Sequence, residues 1–180
     1  MYHHIRTIKA TDEKMLKDTS CSPSRFLNHL DYLASHNYTT ITFVDVQKYL
    51  FGAAKLPERP IILTFDDGYD NNLWAAKKLQ QKKMKAVFFV VTKTLNTPEH
   101  LSTKNIQDMS AWGMEIGSHN KYHANLRKIR FDKVPLQMAE SKKVLENILG
   151  VPVISFCYPA GGYTYRIGKA CSTAGLSSGG

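Results

Sequence analysis

The 180-residue chain contains few cysteines and no long apolar run. Cys21, Cys157 and Cys171 include no C-x-x-C pair, which excludes a thiolate metal site and provides no disulfide framework. No segment reaches the roughly 20 apolar residues of a membrane-spanning helix, and no signal peptide precedes the first predicted strand. We therefore expect neither a transmembrane segment nor an export signal, and the residues alone leave the compartment open.

The motifs of nucleic-acid-binding proteins are also absent, although the chain is basic. Lys and Arg number 24 against 15 Asp and Glu, a formal net charge of +9. Part of the excess lies in residues 77–85, KKLQQKKMK, where Leu79 and Met84 indicate the buried side of an amphipathic helix. We favour a solvated helix face there over a surface for nucleic acid or an anionic glycan. With 43% hydrophobic and 22% charged residues, the composition predicts a single globular domain over residues 1–180.

Strand-like and helix-like patterns alternate along the chain. Strands are predicted at residues 1–5, 38–43, 60–65, 85–91, 114–119 and 151–159. Helices are predicted at residues 23–36, 44–50, 71–83, 102–112, 133–149 and from about 165. Residues 6–22 are predicted to form a polar loop, and residues 176–180 a flexible tail without strand character. Because no hairpin turn joins adjacent strands, we expect a parallel sheet with crossover helices, either a barrel or an open doubly wound sheet.

Polar residues that can carry chemistry follow three of these strands. Asp66 and Asp67 come after residues 60–65, His119 ends the strand at 114–119 with His123 four residues on, and the last strand leads into Ala160. Carboxyl ends of parallel strands meet at one rim, and two histidines with a carboxylate are typical of a catalytic Zn²⁺ site. D-D-G alone is typical of a capping turn, and H-x-x-x-H alone of loop residues, so the inference rests on their joint occurrence. A divalent cation would also offset the repulsion between the two adjacent carboxylates.

Three segments resemble motifs of one family: TFDDG, IGSHNKYH and FCYPAGGY, in this order. They resemble the polysaccharide deacetylase family, the NodB-homology or carbohydrate esterase family four domain, from YHHI to AGL. The overall pattern is most similar to the branch that includes exported poly-N-acetylglucosamine deacetylases. The resemblance implies a distorted (β/α) barrel and an exported or envelope-associated protein.

The resemblance also implies roles for the residues at the rim. Asp67, His119 and His123 would bind the metal, Zn²⁺ or alternatively Co²⁺ or Ni²⁺, and Asp66 would be the catalytic base. The implied activity is hydrolysis of the acetamide of an N-acetylglucosamine-containing polysaccharide, in which Asp66 takes the proton of the attacking water. The glycan would be the partner, with no nucleic acid involved.

Further residues are implied in substrate contact. The backbone N–H of Ala160 matches the family's oxyanion donor. Tyr158 and Pro159 flank that position, and His3, with its neighbour His4 on the first strand, is a candidate for acid catalysis or sugar contact.

The chain departs from the family pattern at two places. Cys157 occupies the position of an arginine that orients the catalytic aspartate, and a neutral thiol cannot make a bidentate contact with a carboxylate, so Tyr158 is an alternative orienting group. From its residues alone, Cys157 is predicted to be a small core residue. The family's later strand, tryptophan-bearing segment and Leu-His motif do not follow residue 176, so we expect a barrel incomplete at both ends. An exposed sheet edge would favour marginal stability or a homodimer.

Two other functions compete with deacetylation. The departures above favour a catalytically weak or inactive domain that still binds metal and glycan. Asp66 as a phosphoryl-transfer nucleophile is the third interpretation, but the usual second aspartate two residues on is missing and the histidines stay unexplained.

Overall fold

The computed structural model describes residues 1–178, in which short strands and helices alternate. In chain order the elements are β1 (His4–Ile5), α1 (Lys14–Asp18), β2 (Ser20–Cys21), α2 (Pro23–Ser35), β3 (Thr39–Ile41), α3 (Phe43–Leu50), β4 (Pro60–Ile62), β5 (Thr64–Phe65), α4 (Asn72–Gln81), β6 (Val87–Val90), α5 (Thr103–Ala111), β7 (Glu115–Ser118), α6 (Val134–Leu149), β8 (Ser155–Phe156), α7 (Tyr165–Thr173) and β9 (Ser177–Ser178). Within these residues no helix is both long and apolar enough to cross a bilayer.

The strand ladders are parallel, as the absence of hairpin turns predicts. A five-stranded sheet has the order β5-β6-β7-β8-β9, while β1 pairs with β2 and β3 pairs with β4. The Tyr2 N–H donates to the Thr64 carbonyl at 2.8 Å, and the Asp66 N–H donates to the Tyr2 carbonyl at 2.9 Å. These bonds place the β1 segment beside β5, so the carboxyl ends of these strands share one rim. In residues 1–178 no ladder joins β9 to β2, and the ring of strands stays open between them.

Helix ends follow the local signals in the sequence. Ser22 accepts a hydrogen bond from the Arg25 N–H at the start of α2. Ser102 and Asn105 form a reciprocal capping box at the start of α5. Gly150, with a φ of 69°, ends α6 in the left-handed conformation that glycine adopts without a Cβ clash. Predicted and observed bounds of these three helices therefore agree within one residue at each end.

Several predicted segments need correction. The predicted loop at residues 6–22 contains α1 and β2, because the Thr19 and Ser20 hydroxyls donate to carbonyls of α1 and close this short helix. The predicted strand at residues 60–65 is two strands, because the chain changes pairing partner at Leu63, from β3 to β6 with the Tyr2 segment on β5 as well. The predicted strand at residues 151–159 is paired only over β8.

The tail prediction is also wrong where the structure describes it. Ser177 and Ser178 form β9, which pairs with β8, and residues 179–180 lie outside the described part. Leu176, 3% exposed, is anchored in the core immediately before this strand. Burial of that side chain brings the following backbone alongside β8.

The core fills the space between the sheet and the surrounding helices. Phe65 is fully buried, with its ring stacked 4.5 Å from Phe88 and 5.1 Å from Tyr2, measured between centroids. On α4, Leu79 is fully buried while Lys77 is exposed, which confirms the amphipathic prediction for this helix. The Asp66–Asp67 pair therefore follows directly from a strand that is fixed by aromatic packing.

Candidate active site

Asp66 and Asp67 occupy a turn that sends their side chains in different directions. Asp67 (φ 74°) and Gly68 (φ 78°) are both left-handed, a conformation that aspartate tolerates and glycine prefers. A Cβ at position 68 would also lie 3.3 Å from Val90 Cγ1, so glycine permits a close approach to β6. Asp66 has its Oδ2 beside Cys157, whereas Asp67 has its Oδ1 beside His119 and His123.

Three candidate ligand atoms converge at Asp67. The Nε2 atoms of His119 and His123 lie 3.3 and 3.1 Å from Asp67 Oδ1, yet neither contact is aligned as a hydrogen bond, and this buried oxygen has no hydrogen-bond partner. His119 Nδ1 lies 2.9 Å from the Cys157 carbonyl, which can only accept, so Nδ1 donates there and Nε2 is the ring nitrogen that faces Asp67. These three residues fit a divalent metal, because their ligand atoms all lie within 4.8 Å of one another around a buried oxygen that has no hydrogen-bond partner.

The electrostatics of this group agree with cation binding. Burial opposes ionisation of Asp67, but the contacts from His119 and His123 outweigh it and hold the pKa of the carboxyl well below its usual range. The contact with Asp67 in turn raises the pKa of His123. An ionised carboxylate that attracts positive charge is thus built into the rim.

A second cluster shares His119 but fits a metal less well. Asp66, His119 and Cys157 also bring their ligand atoms close together. Burial and the neighbouring charge of Asp66 raise the pKa of Cys157 far above its usual range, so the thiol stays protonated. Because metals bind the thiolate form, the group around Asp67 is the better candidate.

Asp66 keeps one carboxylate oxygen without a protein partner. It is 5% exposed, its Oδ1 has no hydrogen-bond partner, and the Cys157 thiol donates to its Oδ2 across 3.6 Å. Cys157 is half-buried and lines the cavity, so its prediction as a core residue is wrong. The thiol orients the carboxylate while the second oxygen remains available to accept a proton.

The segment after β8 presents a backbone donor to the same cavity. Ala160 is left-handed (φ 52°, ψ 30°), and no residue among 1–178 accepts a hydrogen bond from its N–H. Pro159 is buried, while Tyr158 and Ala160 form part of the cavity wall. The position predicted to stabilise an oxyanion therefore carries an unused N–H.

Two asparagines after the aspartates fix the first strand at the rim. Asn71 Oδ1 accepts from the Ile5 N–H at 2.8 Å, and Asn72 Nδ2 donates to the His3 carbonyl at 2.8 Å. His3 and His4 both line the cavity as a result. The structure thus places His3, predicted from its position on the first strand, in the cavity that also contains the candidate metal ligands.

His4 stacks on Tyr69, a contact that sequence reasoning missed. Their ring centroids are 3.6 Å apart. Burial, followed by the charge of Arg6, lowers the pKa of His4, while burial and the nearby Asp67 carboxylate raise the pKa of Tyr69 to about 12. Both rings are consequently uncharged near neutral pH and offer flat surfaces of the kind that sugars pack against.

The cavity has a volume of about 1100 Å³, which exceeds the roughly 300–1,000 Å³ of common small-molecule pockets. Met15 and Leu16 of α1, together with Tyr163, form much of its apolar wall. Sequence reasoning missed all three, because a five-residue helix inside a polar segment shows no clear periodicity. The only available signal was the adjacent pair of apolar residues at 15 and 16.

Comparison with known proteins identifies the family. The model of the family described as polysaccharide deacetylase matches residues 53–179. The chain belongs to the polysaccharide deacetylase family. This confirms the resemblance that rests on the three motifs.

Individual members of the polysaccharide deacetylase family show how far the similarity extends. "Putative polysaccharide deacetylase YxkH" of Bacillus subtilis is 30% identical over 86% of this chain and 56% of its own length. "Peptidoglycan-N-acetylglucosamine deacetylase" of Bacillus cereus is 26% identical over 63% of this chain and 40% of its own length. The crystal structure of BC0361, a polysaccharide deacetylase from Bacillus cereus, superposes with a TM-score of 0.85 at 28% identity, covering 98% of this chain and 55% of that one. The chain spans about half the length of these relatives, and its fold is the distorted (β/α) barrel of the family.

Proposed function

We propose that this chain hydrolyses acetamide groups of a polysaccharide that contains N-acetylglucosamine, using a divalent metal held by Asp67, His119 and His123. The observation that carries the proposal is the convergence of these three ligand atoms beside the unpartnered oxygen of Asp66. The Bacillus cereus relative is named for the same acetylated sugar. Zn²⁺ suits the nitrogen and oxygen ligand set, with Co²⁺ and Ni²⁺ as alternatives.

The residues divide the reaction between them. Asp67, His119 and His123 would hold the metal, which would supply Lewis acidity toward the acetamide carbonyl and the attacking water. Asp66 Oδ1 accepts the proton of the attacking water, and the Ala160 N–H donates to the oxygen on which negative charge develops. His3 is the candidate donor of a proton to the leaving amine, because it lines the cavity.

Acetate release tests this function directly. We expect release from chito-oligosaccharides or poly-N-acetylglucosamine that requires added Zn²⁺ or Co²⁺ and stops with a chelator. Asp66→Asn should lower kcat by at least about 100-fold, the usual effect of removing a general base. Asp70→Asn is the matched control, because Asp70 is exposed only four residues along the chain. Equal rates in Asp66→Asn and the wild type would rule out Asp66 as the base.

Cys157 provides the observation that favours a second function. A neutral thiol at 3.6 Å holds the Asp66 carboxylate more weakly than a bidentate arginine does. The second function is that of a domain that binds metal and glycan with little turnover. Such a domain would bind glycan but release no acetate. Its metal content would fall in the His119→Ala variant. If turnover occurs, Cys157→Ala should lower kcat with little change in KM, because the thiol acts through Asp66.

A further inference from the structure

A basic groove lies at the opposite end of the sheet from the candidate active site. Its volume is about 670 Å³, and it is bordered by Thr39 and Thr40 at the start of β3 and by Lys85 just before β6. The Lys85 N–H donates to Thr40 Oγ1 at 2.7 Å, which ties the two edges together. Asp66 and Asp67, in contrast, follow the carboxyl end of β5. The two concave features therefore face in opposite directions along the strands.

Positive charge predominates around this groove. Four lysines and a single carboxylate line it: Lys55, Lys82, Lys83, Lys85 and Asp45. Lys85 pairs with Asp45 at 3.1 Å, and Lys82 pairs with Asp31. Among the described residues Lys55 and Lys83 form no ion pair, and both are exposed. The groove therefore retains uncompensated cations that can meet an anionic partner.

Two exposed apolar side chains come shortly before Lys55 in the chain. Helix α3 packs at this end of the sheet, since Asp45 contacts Lys85 from its first turn. At its end Leu50 is 73% exposed and Phe51 is 81% exposed. The chain then leads within four residues to Lys55 in the groove wall. Single exposed apolar residues are ordinary, but two adjacent ones only four and five residues before an unpaired lysine form a combined apolar and basic segment.

We propose that the protein docks on an anionic lipid bilayer through this surface. We call it the basal surface, and it consists of the groove with Lys55 and Lys83 and of the exposed pair Leu50 and Phe51. Lysines attract acidic headgroups through charge, and apolar side chains beside them enter the boundary between headgroups and acyl chains. A soluble polyanion would use only the lysines and would leave Leu50 and Phe51 in water, so the apolar pair favours lipid. Docking at this end of the sheet would turn the cavity with the candidate active site away from the bilayer. Its role there rests on the proposed function, since a deacetylase oriented in this way would face a surface polysaccharide.

Vesicle co-sedimentation of the full chain tests the proposal. We expect binding to vesicles of phosphatidylcholine and phosphatidylglycerol in equal parts, little binding to phosphatidylcholine alone, and weakening with added salt. Leu50→Ser with Phe51→Ser, and separately Lys55→Glu with Lys83→Glu, should each weaken binding at least about tenfold.

The matched control is Leu136→Ser with Lys143→Glu, which changes exposed residues of α6 and should bind like the wild type. All variants should keep the far-UV circular dichroism of the wild type and its rate on soluble chito-oligosaccharides, if that rate is measurable. If neither the wild type nor any variant released acetate, the proposed function would be rejected. The vesicle-binding measurements would still test docking on lipid.

Several outcomes would overturn docking on lipid. Equal binding to both vesicle types would exclude recognition of anionic headgroups, and no binding to either would exclude the bilayer altogether. Binding to soluble polyphosphate that matches vesicle binding and ignores the Leu50 and Phe51 changes would assign the groove to polyanions. A dimer that dissociates in the Leu50→Ser, Phe51→Ser variant, without vesicle binding, would assign the surface to a second copy of the chain.

Discussion

Replacement of His123 by asparagine separates metal binding from folding. His123 has a φ of 55° and its side chain is 46% exposed. Asparagine adopts the left-handed conformation readily, so the backbone at this position should be undisturbed. The variant removes one of the three converging ligand atoms while leaving His119, which is 2% exposed, in place. We expect the metal-free variant to melt close to the metal-free wild type.

The size of the effect follows from linkage. With Zn²⁺ at 100 times its dissociation constant, the wild type should gain about 2.7 kcal/mol, since metal binds the folded state alone. For a domain of this size that raises Tm by about 5–11 °C. Loss of one ligand should weaken binding at least about 100-fold, since groups that only orient a ligand already contribute 10- to 100-fold. The same Zn²⁺ concentration then stabilises the variant by about 0.4 kcal/mol, or a Tm increase of about 1–2 °C.

Differential scanning calorimetry with and without Zn²⁺, followed by chelator, measures this difference. His36→Asn is the control, because His36 is exposed at the end of α2 and its ring contacts Tyr32 and Ser35 of that helix, far from the candidate ligands in the chain. It should keep the full Zn²⁺ response. If His123→Asn retained that response as well, the assignment of His123 as a metal ligand would be refuted.

Three further predictions concern packing and charge. Gly162→Ala should destabilise the fold by about 1–3 kcal/mol, because the new Cβ would lie 2.5 Å from Asn125 Oδ1; an unchanged Tm would contradict this. Arg6→Gln should raise the pKa of Asp12, which the Arg6 hydrogen bond holds at about 2, toward its ordinary value of about 3.9. In the wild type, the stabilisation that comes from the depressed Asp12 pKa is complete above about pH 3.9 and is lost as the pH falls through about 2. An NMR titration of the variant measures the Asp12 pKa directly. If Asp12 were still ionised at about pH 3 in the variant, its pairing with Arg6 would be refuted. Phe65→Ala should cost about 3–5 kcal/mol in urea unfolding, since the ring is fully buried, and a cost under about 1 kcal/mol would show that its stacking contributes little.

The position of the candidate site could be predicted because it depends on topology. Asp67 and His119 belong to separate buried strands, and a parallel sheet places the ends of such strands on one rim whatever their exact bounds. Errors of up to four residues in strand bounds left that result unaffected. The three family motifs lie at these strand ends. Errors in the strand bounds therefore did not affect the family resemblance, which the family match confirmed.

Other features depend on interactions that short sequence windows do not contain. Met15 and Leu16 face the cavity because α1 is closed by hydroxyl contacts within an otherwise polar segment. The division of residues 60–65 into two strands depends on a change of pairing partner, which only the three-dimensional arrangement determines. The contact of Cys157 with Asp66 requires two side chains from strands 91 residues apart to meet. Local pattern and propensity carry no information about such pairings.

Several residues at the rim have an unusual backbone conformation that positions the groups proposed for catalysis. Asp67, Asn120, His123 and Ala160 all have φ values between 52° and 74°, a region that residues with a Cβ seldom occupy. Such conformations cost about 1–3 kcal/mol each where the residue is poorly suited, and they persist only when the surrounding structure imposes them. Here two of the four residues provide candidate ligand atoms, and Ala160 presents an N–H with no partner among the described residues. The aspartate pair is therefore divided by the backbone: the left-handed turn directs Asp67 to the histidines, while Asp66, still hydrogen-bonded to Tyr2, stays beside the thiol with one oxygen free.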